Sequence, residues 1–212
     1  MNSRILVKIC GITRTEDAES ASELGADILG MIFYPASKRL VSLPDALEIA
    51  EVARTHKIKS AGVFVNPSFS LLEETLQFVP LDLIQLHGNE SPEFVEEVKR
   101  KFPEQKIIKA LRLKTSESSL EFTSDFHLLD HPSAEWGGSG KAISWDEASV
   151  FVRAHEKPVF LAGGLGPENI LSAIHTVNPY GVDLSSGVES SPGIKSVEKL
   201  NQLFFQLGRG SR

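Results

Sequence analysis

The sequence predicts an α/β protein that closes into a (β/α)8 barrel. Eight short apolar runs recur along the 212 residues at an average spacing of about 25 residues, the size of one strand–helix unit. Several runs are apolar nearly throughout, as expected for parallel strands that are covered on both faces. The predicted strands are residues 5–12, 28–34, 60–65, 81–86, 106–113, 126–130, 158–162 and 181–185.

Segments with helical periodicity lie between these runs. The helix over 44–55 has Pro44 in its first turn and apolar residues on one face. Thr13 or Thr15 is expected to cap the first helix, and Ser144 a later one. The weakest pattern is the fifth helix, near 117–122. The predicted helices are residues 17–24, 44–55, 67–78, 92–102, 145–154, 167–177 and 197–207.

Strict alternation of strands and helices predicts a parallel sheet with right-handed crossovers, and eight units predict its closure. The chain is shorter than the roughly 250 residues typical of such barrels, so the loops must be short. We predict one domain over residues 1–212. An open doubly wound sheet is the rival architecture, but no nucleotide fingerprint supports it.

Composition limits the possible partners and surroundings. The net charge is −6, and no basic patch indicates a nucleic-acid partner. The single cysteine permits no intrachain disulfide, which is typical of a reducing compartment. No apolar segment resembles a signal peptide or reaches transmembrane length. We therefore expect a cytoplasmic protein that contacts neither membrane nor nucleic acid.

Two glycine-rich stretches follow the last two predicted strands. Gly163 and Gly164 follow strand seven, and Ser185, Ser186 and Gly187 follow strand eight. Barrels of this class commonly bind phosphate at these two strand ends, beside a short extra helix. Glycines let the backbone approach an anion closely. Although each stretch alone could be a simple turn, together they predict a phosphate site.

Cys10 and Asp130 end the first and sixth predicted strands. A free cysteine is most often a small buried hydrophobe, but the carboxyl end of a barrel strand is where chemistry takes place. An unperturbed thiol is only about 3% ionised at pH 7, so a base at this position would need a nearby cation or helix N-terminus. To act as a general acid, Asp130 would have to stay protonated near neutral pH. This requires its pKa to be raised by about 3 units, through burial or a neighbouring negative charge.

Other strand ends supply candidate binding groups. Arg39 follows strand two and could hold a carboxylate through its planar guanidinium, and His87 ends strand four. Strand parity places Lys8 on the same face as Cys10. A buried lysine would need an acid, and Asp183, two residues before Ser185, is the expected partner.

Two further patterns are less informative. Residues 137–141 (Gly-Gly-Ser-Gly-Lys) are not a P-loop, because Ala142 stands where that motif has Ser or Thr; a flexible loop after strand six is the better interpretation. The histidines show no spacing typical of metal ligands, so no metal site is predicted.

Six motifs together resemble the phosphoribosylanthranilate isomerase family, in order from the first strand to the last. Departures are small: Gly166 stands where a polar residue often follows the glycine turn, and residues 142–145 read Ala-Ile-Ser-Trp rather than Thr-Phe-Asp-Trp. The motifs are residues 8–13 (Lys-Ile-Cys-Gly-Ile-Thr), 85–88 (Gln-Leu-His-Gly), 128–130 (Leu-Leu-Asp), 137–141, 161–165 (Leu-Ala-Gly-Gly-Leu) and 183–189 (Asp-Leu-Ser-Ser-Gly-Val-Glu).

The resemblance implies the Amadori rearrangement of N-(5-phosphoribosyl)anthranilate in tryptophan biosynthesis. It implies Asp130 as the acid and Cys10 as the base, with Arg39 on the anthranilate carboxylate and the glycine turns on the phosphate. It also implies that no cofactor is needed, since the protonated imine of the substrate is the electron sink. His87 and Asp183 complete the predicted substrate-binding set.

Two other functions remain open from the residues alone. A pentose-phosphate epimerase is also a phosphosugar barrel, but it typically uses metal-binding histidines, and only His87 and His131 lie near strand ends. A non-catalytic phosphate-binding barrel would leave Cys10, Asp130 and Arg39 unexplained. Whether the chain is a monomer or a homodimer, and whether a related aminoketose is also a substrate, is not determined by the sequence.

Overall fold

The computed structural model describes residues 4–113, 121–130 and 144–209, and the strands in these ranges form a closed barrel. Each strand pairs in parallel with the next, and the first pairs with the eighth to close the barrel. The predicted fold class is therefore confirmed. The barrel strands are β1 (Leu6–Cys10), β2 (Ile28–Ile32), β3 (Lys59–Phe64), β4 (Leu83–Leu86), β5 (Lys106–Arg112), β6 (Phe126–Asp130), β7 (Val159–Leu161) and β8 (Gly181–Leu184).

Helices connect the strands on the outside of the barrel. Four of them begin at a serine whose side chain accepts a hydrogen bond from a backbone N–H of the first turn: Ser42, Ser68, Ser91 and Ser196. The described helices are α1 (Thr15–Leu24), α2 (Leu43–Thr55), α3 (Phe69–Phe78), α4 (Pro92–Lys101), α5 (Trp145–Ala154), α6 (Ile170–Val177) and α7 (Val197–Gln206).

Some local predictions were wrong. The first helix is capped by neither Thr13 nor Thr15: its N-cap residue is Arg14, and Thr13 Oγ1 instead donates to the Gly193 carbonyl at 2.6 Å. The helices predicted from 67 and 167 begin at Phe69 and Ile170. Of the predicted fifth helix, residues 117–120 lie outside the described ranges, and Glu121 and Phe122 are not helical.

A second, two-stranded sheet follows β8 and was not predicted. It comprises β9 (Glu189–Ser191) and β10 (Ile194–Lys195), which pair antiparallel. A 3-10 turn, Ser186–Val188, leads into it from the barrel. This hairpin lies beside the carboxyl ends of β1 and β8, because Lys195 contacts the carbonyls of Cys10 and Ser185.

Apolar side chains fill two separate layers. The larger core lies between the barrel and its helices, and a smaller one fills the barrel interior. Because successive side chains on a strand point to opposite faces, the inner core fixes which residues face the interior. Leu6 packs against this inner core, and its members are Ile28, Ala61, Leu83, Ile108, Ala110, Leu128, Phe160 and Ala162.

The same alternation of side chains holds at the carboxyl ends of the strands. Cys10 has the parity of Leu6, and Asp130 has the parity of Leu128, so both face the interior at the carboxyl end of the barrel. Of the described helices, none is long and apolar enough to cross a membrane. That residues 1–212 form a single domain stays a prediction.

Candidate active site

The thiol of Cys10 lies against a buried ion pair. Lys8 Nζ donates to Asp183 Oδ1 at 2.9 Å, and both side chains are buried, so the pairing predicted from strand parity is confirmed. β1 and β8 bring the two residues together because Lys8 and Asp183 are direct register partners. An ideal Cβ added to Gly30 on β2 would lie 3.0 Å from both Cys10 Sγ and Lys8 Nζ. Because Gly30 has no side chain, the thiol and the ammonium group can both lie next to this position on β2.

These contacts set the acidity of the thiol. Burial raises the pKa of Cys10 above its ordinary value; Lys8 and, more weakly, Lys195 lower it, while Asp183 raises it. Burial alone would lower the pKa of Lys8, but Asp183 and Cys10 outweigh it and the pKa is raised. The nearby cations that a base at this position needs are present, but burial outweighs them and the pKa of Cys10 is raised.

Two residues without an assigned role, Lys195 and Glu189, connect the hairpin to the backbone of Cys10. Lys195 Nζ donates to the Cys10 carbonyl at 2.6 Å and to Glu189 Oε1 at 2.8 Å, and it is buried. Sequence reasoning missed Lys195: Pro192-Gly193 just before it is a turn signal, but a turn does not show that the hairpin returns to β1. Glu189 ended a family motif, but the motif gave it no role.

Arg39 lies beside Cys10, but it is already bound. Its Nε and Nη2 donate to the two carboxylate oxygens of Glu189 at 2.9 and 2.7 Å, and its side chain is 12% exposed. It packs on the turn after β1: an added Cβ on Gly11, which has φ +73°, would lie 2.6 Å from Arg39 Cδ. Glu189 thus occupies one edge of the guanidinium and fixes its orientation.

Asp130 ends β6 beside an imidazole. His87 Nε2 lies 3.3 Å from Asp130 Oδ2, and His87 Nδ1 lies 2.8 Å from Gln85 Nε2. Because the Gln85 amide donates to Nδ1, a neutral His87 carries its hydrogen on Nε2, the nitrogen that lies 3.3 Å from Asp130 Oδ2. Gln85 is buried, and its Oε1 has no hydrogen-bond partner among the described residues. Sequence reasoning placed His87 but missed Gln85, although strand parity puts both on one face.

The predicted phosphate turns follow β7 and β8. Gly163 and Gly164 adopt φ +88° and +66°, a left-handed conformation that favours glycine. A Cβ on Gly187 would lie 2.0 Å from the Leu165 carbonyl oxygen, so the two turns approach too closely for any side chain there. Ser185 Oγ is buried without a hydrogen-bond partner among the described residues. This chemistry suits an anion.

Other expectations fall partly or wholly outside what the structure describes. His131 and the loop predicted at 137–141 lie outside the described residues. Within the described ranges, no group of three or more His, Cys, Asp or Glu side chains could hold a metal ion. The absence of a metal site and of a cofactor stays a prediction.

Comparison with known proteins identifies the family. A family model described as N-(5'phosphoribosyl)anthranilate (PRA) isomerase matches residues 7–206. The chain belongs to this family. An N-(5'-phosphoribosyl)anthranilate isomerase from Crocosphaera subtropica is 41% identical over 207 residues, which cover 95% of this chain and 97% of the relative. One from Pelobacter propionicus is 42% identical over 214 residues, which cover 98% and 97%.

Solved structures of phosphoribosylanthranilate isomerases have the same fold. The enzyme from Thermus thermophilus superposes with a TM-score of 0.86 at 37% identity, covering 96% of this chain and 98% of that one. The enzyme from Thermotoga maritima gives 0.84 at 36% identity with the same coverage. A third structure (TM-score 0.81, 33% identity, 96% and 98% coverage) is a complex with reduced 1-(o-carboxyphenylamino)-1-deoxyribulose 5-phosphate. The resemblance inferred from the motifs is thus confirmed over nearly the whole chain.

Proposed function

We propose that this isomerase converts N-(5-phosphoribosyl)anthranilate to 1-(2-carboxyphenylamino)-1-deoxyribulose 5-phosphate by general acid–base catalysis at Cys10 and Asp130. The activity follows from the family, and it places the enzyme in tryptophan biosynthesis. The assignment of the two catalytic groups is supported by their geometry. Both face the barrel interior at the carboxyl ends of their strands, where barrel enzymes hold their active sites.

The reaction needs one proton delivered and one removed. Asp130 protonates the furanose ring oxygen; the C1–O bond breaks, and the nitrogen lone pair forms a Schiff base. The Cys10 thiolate then takes the proton from ribose C2, and the C–H electron pair moves into the protonated imine to give an enolamine. Tautomerisation gives the ketone. Because the imine accepts the electrons, the proposal requires no cofactor.

Binding of the substrate is divided between the two sides of the barrel mouth. Gly163, Gly164, Ser185, Ser186 and Gly187 would hold the phosphate through backbone N–H groups and the Ser185 hydroxyl. This is supported by the positive φ angles of Gly163 and Gly164 and by the unpartnered Ser185 Oγ.

The remaining binding groups lie nearer the reacting atoms. Arg39 would hold the anthranilate carboxylate through the guanidinium edge that faces away from Glu189. His87 would bind substrate beside Asp130. Asp183 is buried against Lys8, so it would act on the substrate from the barrel interior and not from the rim.

One observation carries the assignment: the only cysteine of the chain faces the barrel interior beside an ammonium group, at the mouth that also holds Asp130. A non-catalytic phosphate-binding barrel has no need of a thiol against a buried lysine. An epimerase that uses metal-binding histidines is not supported by the described residues.

Loss of substrate fluorescence tests the proposal directly, because anthranilate derivatives emit light. Purified protein should consume the substrate. Cys10→Ala and Asp130→Asn should each lower kcat by at least about 100-fold, the lower end for general acid–base groups. Ser190→Ala, an exposed hairpin position, is the control and should retain the rate. Near-normal turnover in either active-site variant would remove that residue from the mechanism.

The surroundings of the enzyme remain proposals of the same kind. Relatives include a dimeric enzyme from Thermotoga maritima, and we propose that this chain is a monomer or a homodimer with no nucleic-acid or membrane partner. We also propose a cytoplasmic location, as the single cysteine suggests. Size-exclusion chromatography with light scattering would distinguish the two oligomeric states.

A further inference from the structure

We propose that Lys8 is a positioning residue that holds the Cys10 thiolate, with Asp183 keeping the lysine in place. The inference rests on the proposed function, in which Cys10 is the base. It adds a residue that makes the thiolate available in a buried site.

The first step is geometric. Lys8 Nζ and Cys10 Sγ each lie 3.0 Å from one point above Gly30, so they are no more than twice that distance apart. Lys8 is fully buried, and its side chain cannot reach solvent as a surface lysine does. Among the described residues, its charge therefore acts on the Asp183 carboxylate and the thiol.

The second step is electrostatic. A buried thiol resists ionisation because the thiolate loses its hydration. A cation within about 6 Å opposes this effect and lowers the pKa of an acidic group by about 1–3 units. In the part of the chain that the structure describes, the charged groups around Cys10 are Lys8 on its own strand, Asp183 on β8, Lys195 on β10 and Arg39 in the loop after β2. Gly30 on the other neighbouring strand contributes no charge. Among these groups Lys8 lowers the thiol pKa most.

The third step explains the carboxylate. An unpaired ammonium in the barrel interior would be costly, and Asp183 compensates it at 2.9 Å. The same carboxylate raises the pKa of Cys10. Lys8 and Asp183 must therefore act on the thiol with opposite signs, which gives the inference a sharp test.

Titration of the thiol tests this without turnover. Because Cys10 is the only cysteine, the ultraviolet absorbance of the thiolate, measured as a difference from Cys10→Ala, reports this group alone. Lys8→Met should raise the midpoint so that the thiolate fraction at a given pH falls at least about 10-fold. Asp183→Asn should move the midpoint the other way, and Lys8→Arg should restore much of the loss. The kcat profile should shift with the midpoint, and in Lys8→Met KM should change little.

Controls separate folding from electrostatics. Gln85→Leu removes another buried polar group of the barrel interior and should leave the thiol titration unchanged. If Lys8→Met does not fold, Lys8→Met/Asp183→Leu, which replaces the buried pair with apolar groups, is compared with Asp183→Asn. The two then differ chiefly in the lysine charge, and the double variant should titrate at higher pH.

Equal midpoints with and without the lysine would overturn the inference. Active Cys10→Ala protein would instead overturn the role of the thiol as the base, whatever the titration gives. The two failures are thus distinguishable.

Discussion

The two sides of the active site place different groups around their catalytic residues. On the base side, formed by β1, β8 and the hairpin, Cys10 is surrounded by ion-paired groups: Lys8 with Asp183, and Lys195 and Arg39 with Glu189. On the acid side, formed by β4 to β6, His87 Nε2 lies 3.3 Å from Asp130 Oδ2 and His87 is held by the neutral amide of Gln85, while Arg112 on β5 is the register partner of Asp130.

The difference follows from the charge that each group must carry. The base acts as an anion in a buried place, so it needs cations that cannot leave. The acid must be neutral before it acts, and it becomes a carboxylate when it has delivered its proton. His87 Nε2, 3.3 Å from Asp130 Oδ2, is placed to stabilise the carboxylate that Asp130 becomes once it has delivered its proton.

The acid side also has a buried ion pair, but it lies on the outer face of the strands. Lys109 follows the inward-facing Ile108, so it points away from the interior. It donates to Glu90 Oε2 at 2.9 Å and to the Gly88 carbonyl at 2.7 Å. Glu90 in turn accepts from the Gly88 N–H. This pair fixes the loop that follows His87 without placing charge at Asp130.

The largest effect is expected from breaking the outer pair. Lys109→Met leaves Glu90 buried without its counter-charge, which should lower the free energy of unfolding by about 3–5 kcal/mol. The matched variant on the base side, Lys195→Met, should lose less, because Glu189 keeps Arg39 as a partner. Urea unfolding of both variants and the parent measures the losses. Equal losses would mean that Arg39 does not compensate Glu189.

The next effect is a loss of stability in mild acid, and it also arises on β6. Burial, with a smaller contribution from Lys157, lowers the pKa of His127 to about 4. Below its ordinary pKa of about 6.5 the unfolded chain takes up a proton at His127 and the folded protein does not. Stability should therefore fall as the pH drops from about 6.5 to about 4, by up to about 3 kcal/mol in total.

A leucine at this position isolates the contribution. Both ring nitrogens of His127 are buried without hydrogen-bond partners among the described residues, so His127→Leu removes no hydrogen bond to any of them. Its free energy of unfolding should change less between pH 7 and 4 than that of the parent. Parallel curves for the two proteins would mean that His127 is protonated in the folded state as readily as in the unfolded chain.

The sequence predicts more of the barrel than of the hairpin. Strand positions and parity come from apolar periodicity, and parity alone predicted the pair of Lys8 and Asp183. Lys195 was missed because its role depends on a chain reversal of only a few residues, which brings it 2.6 Å from the Cys10 carbonyl. The N-cap at Thr13 failed for the same reason: the hairpin offers the hydroxyl a tertiary acceptor at Gly193. Local patterns hold no information on either contact.

The smallest effect is expected from Gln85, and it sharpens the comparison most. Gln85→Leu removes the donor that keeps the hydrogen of His87 on Nε2, so His87 orients Asp130 less well. We expect kcat to fall about 10-fold, a fraction of what a general acid contributes.

Nitrogen-15 NMR of the histidines measures the cause of this effect separately. In the parent protein His87 should be the Nε2–H tautomer, with its signal identified by its absence from His87→Asn. In Gln85→Leu the signal should change to a mixture of tautomers. A variant that keeps both the Nε2–H form and the full kcat would show that Gln85 does not position the acid. A buried group that positions the catalytic residue would then be a feature of the base side and not of the acid side.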